Sequence, residues 1–219
     1  ISLGLVGSEM CIRDSNAPRG IKYEIQHATL TPEQADILNG KKGETMAKVM
    51  ETLVMFGDIF GAKRMVEVTH KEGHLVTSFG IGLLKPLYKT MDRLIADGIK
   101  TQGTFTVDPR PLDRENVKYS LLDRLVNEKV MYSQQKHYEE QLKAVGLKDA
   151  NAFTCACYLD EVGNVPKKGD ILSWAESSAV VYANSVLGAR CNRNSGMLDL
   201  FGSIVGYVPE FGLLTDEGR

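Results

Sequence analysis

No apolar run in this chain approaches the roughly 20 residues that span a bilayer, so no segment reads as a membrane anchor. Net charge is also scarce. Twenty-six Lys and Arg against 28 Asp and Glu leave a formal charge of −2. That balance removes the usual electrostatic reason to expect nucleic acid or an anionic membrane as a partner. Cysteines number four in 219 residues: Cys11, Cys155, Cys157 and Cys191. A small secreted scaffold stapled by disulfides is not built this way, so the thiols are expected to be core residues, metal ligands or nucleophiles. A phosphate-binding loop, G-x-G-x-x-G, H-E-x-x-H and G-x-S-x-G are all missing. There are no repeats and no low-complexity tract.

What remains is a globular composition, 43% hydrophobic and 25% charged. The length suits one large domain or two small ones. Cytoplasmic residence is the default expectation. The opening "ISLGLVGSEMCIRDS" has no initiator Met, no basic n-region and too short an apolar part for a signal peptide. Residues 1 to 15 are expected to be a non-native tail, similar to translated adapter sequence, and Cys11 is set aside with them.

Element signals alternate along the chain. In "LTPEQADILNG", Thr31 suits an N-cap, Pro32 the first helical position and Gln34 the reciprocal cap, with Gly40 ending the helix. A second helix is predicted from Glu44 to Phe60, with Met46, Val49, Met50, Leu53, Val54 and Phe56 on its apolar face. "KRMVEV" reads as a strand and "THKEGH" as a polar turn. Residues 82 to 97 read as a helix, "GTFTV" as a strand into an Asp108-Pro109 turn, and 115 to 145 as a broken helix closed by Gly146. "NAFTCACYL" and "DILSW" are strand candidates, followed by helices from Ala179 to Leu187 and from Met197 to Val205. Strands alternating with helices imply an α/β fold with a mostly parallel sheet. In such sheets the loops leaving the strand C-termini collect the chemistry. Four loops qualify: His70 to His74, Asp108-Pro109, Cys155 to Tyr158 and Glu176 to Ser178.

Glu176 and two hydroxyls interrupt apolar sequence between Trp174 and Ala179. Ser178 is the expected N-cap, which would leave Glu176 and Ser177 where backbone N–H groups converge on an anion. Apolar neighbours should desolvate Glu176 and raise its pKa, as proton transfer requires. The plainer reading is that all three residues cap a helix. Cys155-x-Cys157 is a weak metal signal, and an extended chain points the two thiols to opposite sides. His70 and His74 read as solvated or hydrogen-bonded residues of one loop. Arg190 and Arg193 could grip a carboxylate or phosphate, or favour a helix C-terminus.

Four strings carry a family resemblance. "WAESSAVVYANSVLGARCNRNSG" resembles the signature of the aconitase X family, "AESSAV-x-x-ANSVLGARTNR". "LTPEQADILNGKKGE", "FTCACYL" with "GNVPKKGD", and "GYVPEFGLLTDEGR" are similar to further stretches of that family. The resemblance covers about residue 30 to 219 and implies an aconitase-type three-layer α/β/α architecture, incomplete here, with residues 16 to 219 as the N-terminal half of a large catalytic domain.

It further implies an iron–sulfur cluster and a hydro-lyase reaction on a small hydroxy acid, such as cis-3-hydroxy-L-proline or mevalonate 5-phosphate. The implied partner is a swivelling small domain or small subunit. By position, Cys155 matches the first cluster cysteine, the other ligands falling beyond residue 219. Glu176 and Ser177 match a catalytic, substrate-contacting pair. Gly73, His74, Asp108 and Pro109 match substrate-binding positions, with His74 replacing a small apolar residue and Asp108 replacing Asn. The added carboxylate at Asp108 suits a cationic imino acid better than a phosphate. A competing reading is a cysteine-nucleophile hydrolase that pairs Cys155 or Cys191 with His70 or His74. A third is a catalytically incomplete fragment.

Overall fold

The computed structural model describes residues 24–113, 116–149 and 152–218. The expected tail, Cys11 and Asn151 lie outside the described residues. Helix α1 (Pro32–Leu38) begins as its sequence dictates: the Thr31 hydroxyl accepts from the Gln34 backbone N–H, while the Gln34 side chain accepts from the Thr31 backbone N–H at 3.0 Å. Helix α2 (Glu44–Ile59) buries Val49, Met50, Leu53 and Val54, the face its apolar spacing marks. β1 (Met65–Glu67) follows.

The next segment departs from expectation. Gly73–Leu75 forms a strand, β2, so His74 lies in a sheet rather than in a polar loop. Helix α3 (Lys85–Ala96) starts three residues after the expected position, with Pro86 in its first turn. β3 (Phe105–Val107) pairs parallel with β2, placing Gly73 opposite Phe105, His74 opposite Thr106 and Leu75 opposite Val107. The long helical stretch breaks as expected but begins only at Leu121, residues 116–120 being non-helical and residue 115 lying outside the described residues. Helix α4 (Leu121–Leu125) runs into a π-helical turn (Val126–Met131), and α5 (Gln135–Val145) ends at Gly146, whose φ of 129° suits glycine. α6 (Ser177–Tyr182) continues as a π-helical turn (Ala183–Leu187), α7 spans Gly196–Val205, and β4 (Tyr207–Pro209) pairs antiparallel with β1.

"NAFTCACYL" and "DILSW" touch the sheet at single points rather than as full strands. Phe153 bridges Val107, and Trp174 bridges His74, both parallel. The central ribbon order is therefore Trp174, β2, β3, Phe153, with all chains running the same way. Side-chain alternation divides this ribbon into two faces. Gly73, Leu75, Phe105 and Val107 face the main core, which α2, α3, α5 and α7 complete with Leu53, Met91, Leu94, Leu142, Leu200 and Ile204. His74 and Thr106 face the other way. A second core gathers Cys157, Leu172, Trp174, Ala179, Val180 and Cys191 under α6. Among the described residues no helix is long and apolar enough to cross a membrane.

Candidate active site

Parallel chains deliver their successors to one rim. Asp108 leaves β3, Cys155 follows the Phe153 bridge, and Glu176 follows the Trp174 bridge. The three meet there. The Cys155 thiol is raised above its ordinary pKa by partial burial, then by the nearby charges of Asp108 and Glu176 and a hydrogen bond to Asp108. Cys155 is otherwise exposed, whereas Cys157 is fully buried, so the two thiols do point apart. Pro109 is exposed beside Asp108, its carbonyl accepting from Ser78 Oγ at 2.7 Å.

Glu176 differs from expectation twice. It is the N-cap of α6 itself, in place of Ser178, and α6 begins at Ser177. Oε2 accepts from the Ala179 N–H and from Ser178 Oγ, each at 2.6 Å, and Oε1 accepts from Ser177 Oγ at 3.2 Å. Burial pushes its pKa up, but these hydrogen bonds outweigh burial and hold the carboxyl below the usual range. It rests as an anion. Ser177 and Ser178 are exposed at the rim.

Beneath the rim lies a polar network on the second face of the ribbon. His74 is fully buried, its Nδ1 2.8 Å from Thr106 Oγ1 and its Nε2 3.6 Å from Asp108 Oδ1. Buried Asn164 donates from Nδ2 to Thr106 Oγ1 at 3.0 Å and to the Gly73 carbonyl at 2.9 Å. His70 Nε2 sits 2.7 Å from Asn164 Oδ1. The Trp174 ring lies edge-on between both imidazoles, 6.1 Å from His70 and 6.0 Å from His74. Sequence reasoning missed Thr106 and Asn164. Their one signal is polarity inside segments that otherwise read as apolar or as loop.

Gly73 is buried, and a Cβ there would stand 2.7 Å from Ser203 Oγ and 3.2 Å from Phe105 Cβ. Its bare Cα lets α7 lie directly on β2. Arg190 is committed elsewhere, donating to the Leu214 carbonyl and to Asp216. Arg193 is exposed. Cys191 is fully buried, and burial first, then the charge of Asp199, pushes its thiol well up. Among the described residues no cysteine hydrogen-bonds a histidine, and no trio of His, Cys, Asp or Glu is arranged to hold a metal. The rim thus offers one accessible thiol hydrogen-bonded to one carboxylate and near a second. That donor set disfavours a bare thiolate and suits a thiolate beside a positive centre.

Comparison with known proteins follows the same lines. Residues 27–217 match the family described as Aconitase X first domain. The phosphomevalonate dehydratase large subunit of Methanothermobacter thermautotrophicus is 36% identical over 185 residues, 83% of this chain and 43% of that protein. The cis-3-hydroxy-L-proline dehydratase of Hypocrea jecorina is 30% identical over 187 residues, covering 28% of its length. The holo-form crystal structure of Thermococcus kodakaraensis aconitase X superposes with a TM-score of 0.71 at 31% identity, over 87% of this chain and 44% of that one. The chain spans under half the length of these relatives. On sequence and on fold, it belongs to the aconitase X family as that family's first domain.

Proposed function

We propose that this chain forms the rim and floor of an iron–sulfur-dependent hydro-lyase site acting on a small hydroxy acid, completed by a small domain or subunit and by further polypeptide. One observation carries the reading: the Cys155 thiol hydrogen-bonds Asp108 and feels the charge of Glu176 at the C-terminal rim of parallel chains. Cys155 fits as one ligand of a cluster, and the other thiolates would come from outside the described residues. When bound, the cluster supplies a Lewis acid for the departing hydroxyl, without which hydroxide is a poor leaving group.

The remaining work falls to the chain's own side chains. Ser177 Oγ, which donates to Glu176 Oε1, takes the proton from the carbon beside the hydroxyl as its own proton passes to Glu176. The carbon's electron pair becomes the new double bond and hydroxide leaves. Asp108 and Pro109 line the entrance, while Gly73 and His74 support it from below.

A cationic imino acid, of the cis-3-hydroxy-L-proline kind, matches the two carboxylates better than a phosphorylated acid. Mevalonate 5-phosphate is the second reading, favoured by the higher identity to the phosphomevalonate enzymes, 36% against 30%. The test is anaerobic reconstitution of the complete enzyme, metal analysis, and dehydration assays on both substrates. Cys155→Ala is expected to lose bound iron and turnover together. Full retention of iron would remove the cluster assignment, and preference for mevalonate 5-phosphate would reverse the substrate order.

A further inference from the structure

Contact lengths and donor capacity in the network under the rim favour one arrangement of hydrogens. The Gly73 carbonyl can only accept, so the Asn164 group 2.9 Å from it is Nδ2 and its Oδ1 faces His70. Oδ1 can only accept, so His70 Nε2 carries hydrogen at that 2.7 Å contact. The second Nδ2 hydrogen goes to Thr106 Oγ1 at 3.0 Å. The single Thr106 hydroxyl hydrogen then has three candidates: the Gly73 carbonyl at 3.3 Å, which keeps a second lone pair beside the one Asn164 uses, the buried Cys157 sulfur, a weak acceptor, and His74 Nδ1 at 2.8 Å. The shortest contact, to the imidazole nitrogen, takes it, because the reverse tautomer would set a bare Nε2 lone pair against the Asp108 carboxylate. His74 Nδ1 is therefore an acceptor, and its hydrogen lies on Nε2. That atom has no hydrogen-bond partner and faces Asp108 Oδ1, also unpartnered, across 3.6 Å. Fully buried unpaired polar atoms are rare in folded proteins, and here two of them face each other at the edge of a site.

We infer that His74 is a positioning residue for substrate selection: the Asn164–Thr106 network locks it as the Nε2–H tautomer, and that N–H orients the Asp108 carboxylate at the rim. The directional chain runs from the Gly73 carbonyl through three side chains to the rim, each donor deciding the next. His74 touches no solvent, so it acts on a bound molecule only through Asp108. Where Asp108 points then decides which charge the rim accepts. The gap of 3.6 Å is too long for a hydrogen bond and short enough to close by a small rotation of the carboxylate when a cationic group binds its other oxygen. The selection half of the inference rests on the proposed function; the tautomer half does not.

Nitrogen-15 NMR of histidine-labelled protein decides the tautomer without any turnover. The expected His74 pattern is a bare Nδ1 and a protonated Nε2, identified by its loss in His74→Gln. Thr106→Ser should preserve the pattern, and Thr106→Val should mix the tautomers. Asp108→Asn should shift the Nε2 resonance. A protonated Nδ1 in the unsubstituted protein, or an Nε2 resonance indifferent to Asp108→Asn, overturns the inference. If Thr106→Val does not fold, the unsubstituted and Thr106→Ser spectra decide.

In the complete enzyme, His74→Gln and Asp108→Asn should each raise KM for the cationic substrate about tenfold with kcat within about twofold, and the double variant should be no worse than the poorer single one. Additive losses overturn the positioning role. Absence of hydro-lyase turnover on either substrate class would sink the proposed function and leave the NMR result standing.

Discussion

Glu176 carries two demands in one carboxylate. It closes the N-terminus of α6 and holds both rim serines by their hydroxyls. Its folded pKa lies below the ordinary 4.5, so the folded state favours the ionised form. The sign follows: its contribution to stability is fully present above about pH 4.5 and is lost as pH falls through the lower folded value. Glu176→Gln is expected to cost about 1 kcal/mol at neutral pH, the usual scale for a lost N-cap. Urea midpoints of the two proteins should converge on acidification, and a constant gap would show that the charge is not the cause. Ser178→Ala tests the same cap from the donor side and should leave α6 in place, because the Ala179 N–H still reaches Glu176.

At the scale of elements, exposure decides what matters. Helix α4 and its π-helical extension bury no residue, and Leu121, Leu122, Leu125 and Val130 are 58–82% exposed. Leu122→Lys should therefore change stability by less than about 0.5 kcal/mol. Leu94→Ala in α3, at a site with no exposure, should cost about 2–5 kcal/mol. Chemical denaturation of both variants checks the contrast, and equal losses would contradict it. The same distinction explains what was legible beforehand. α1 could be read because Thr31, Pro32 and Gln34 signal through contacts three residues apart. The two apolar faces of α2 and β3 were likewise visible in their spacing. β2 could not be read, since its three residues carry no period and form a strand by pairing with residues 32 positions away and, at His74, with Trp174. The odd placement of Glu176 in the sequence made it a candidate site residue. Its lowered pKa was not legible there, because the three donors that cause it depend on how the turn folds.

For the whole molecule, the ligands available among the described residues bear on what this chain can do by itself. One exposed thiol stands at the rim, and no metal-holding trio forms among the described residues. Reconstitution of this chain alone with iron and sulfide should give no stable cluster absorption, and co-folding with the remaining polypeptide length of its relatives should give it. A stable cluster on the isolated chain would place the ligands within it and overturn the proposal that others are supplied from elsewhere. The packing of β2 on α7 sets a further constraint. Ser203 fills the space a Cβ on residue 73 would need, so helix and strand cannot slide past each other without collision. Floor and helix are packed as one block. If the proposed function holds, closure over a bound ligand falls to the covering small domain or subunit rather than to this floor.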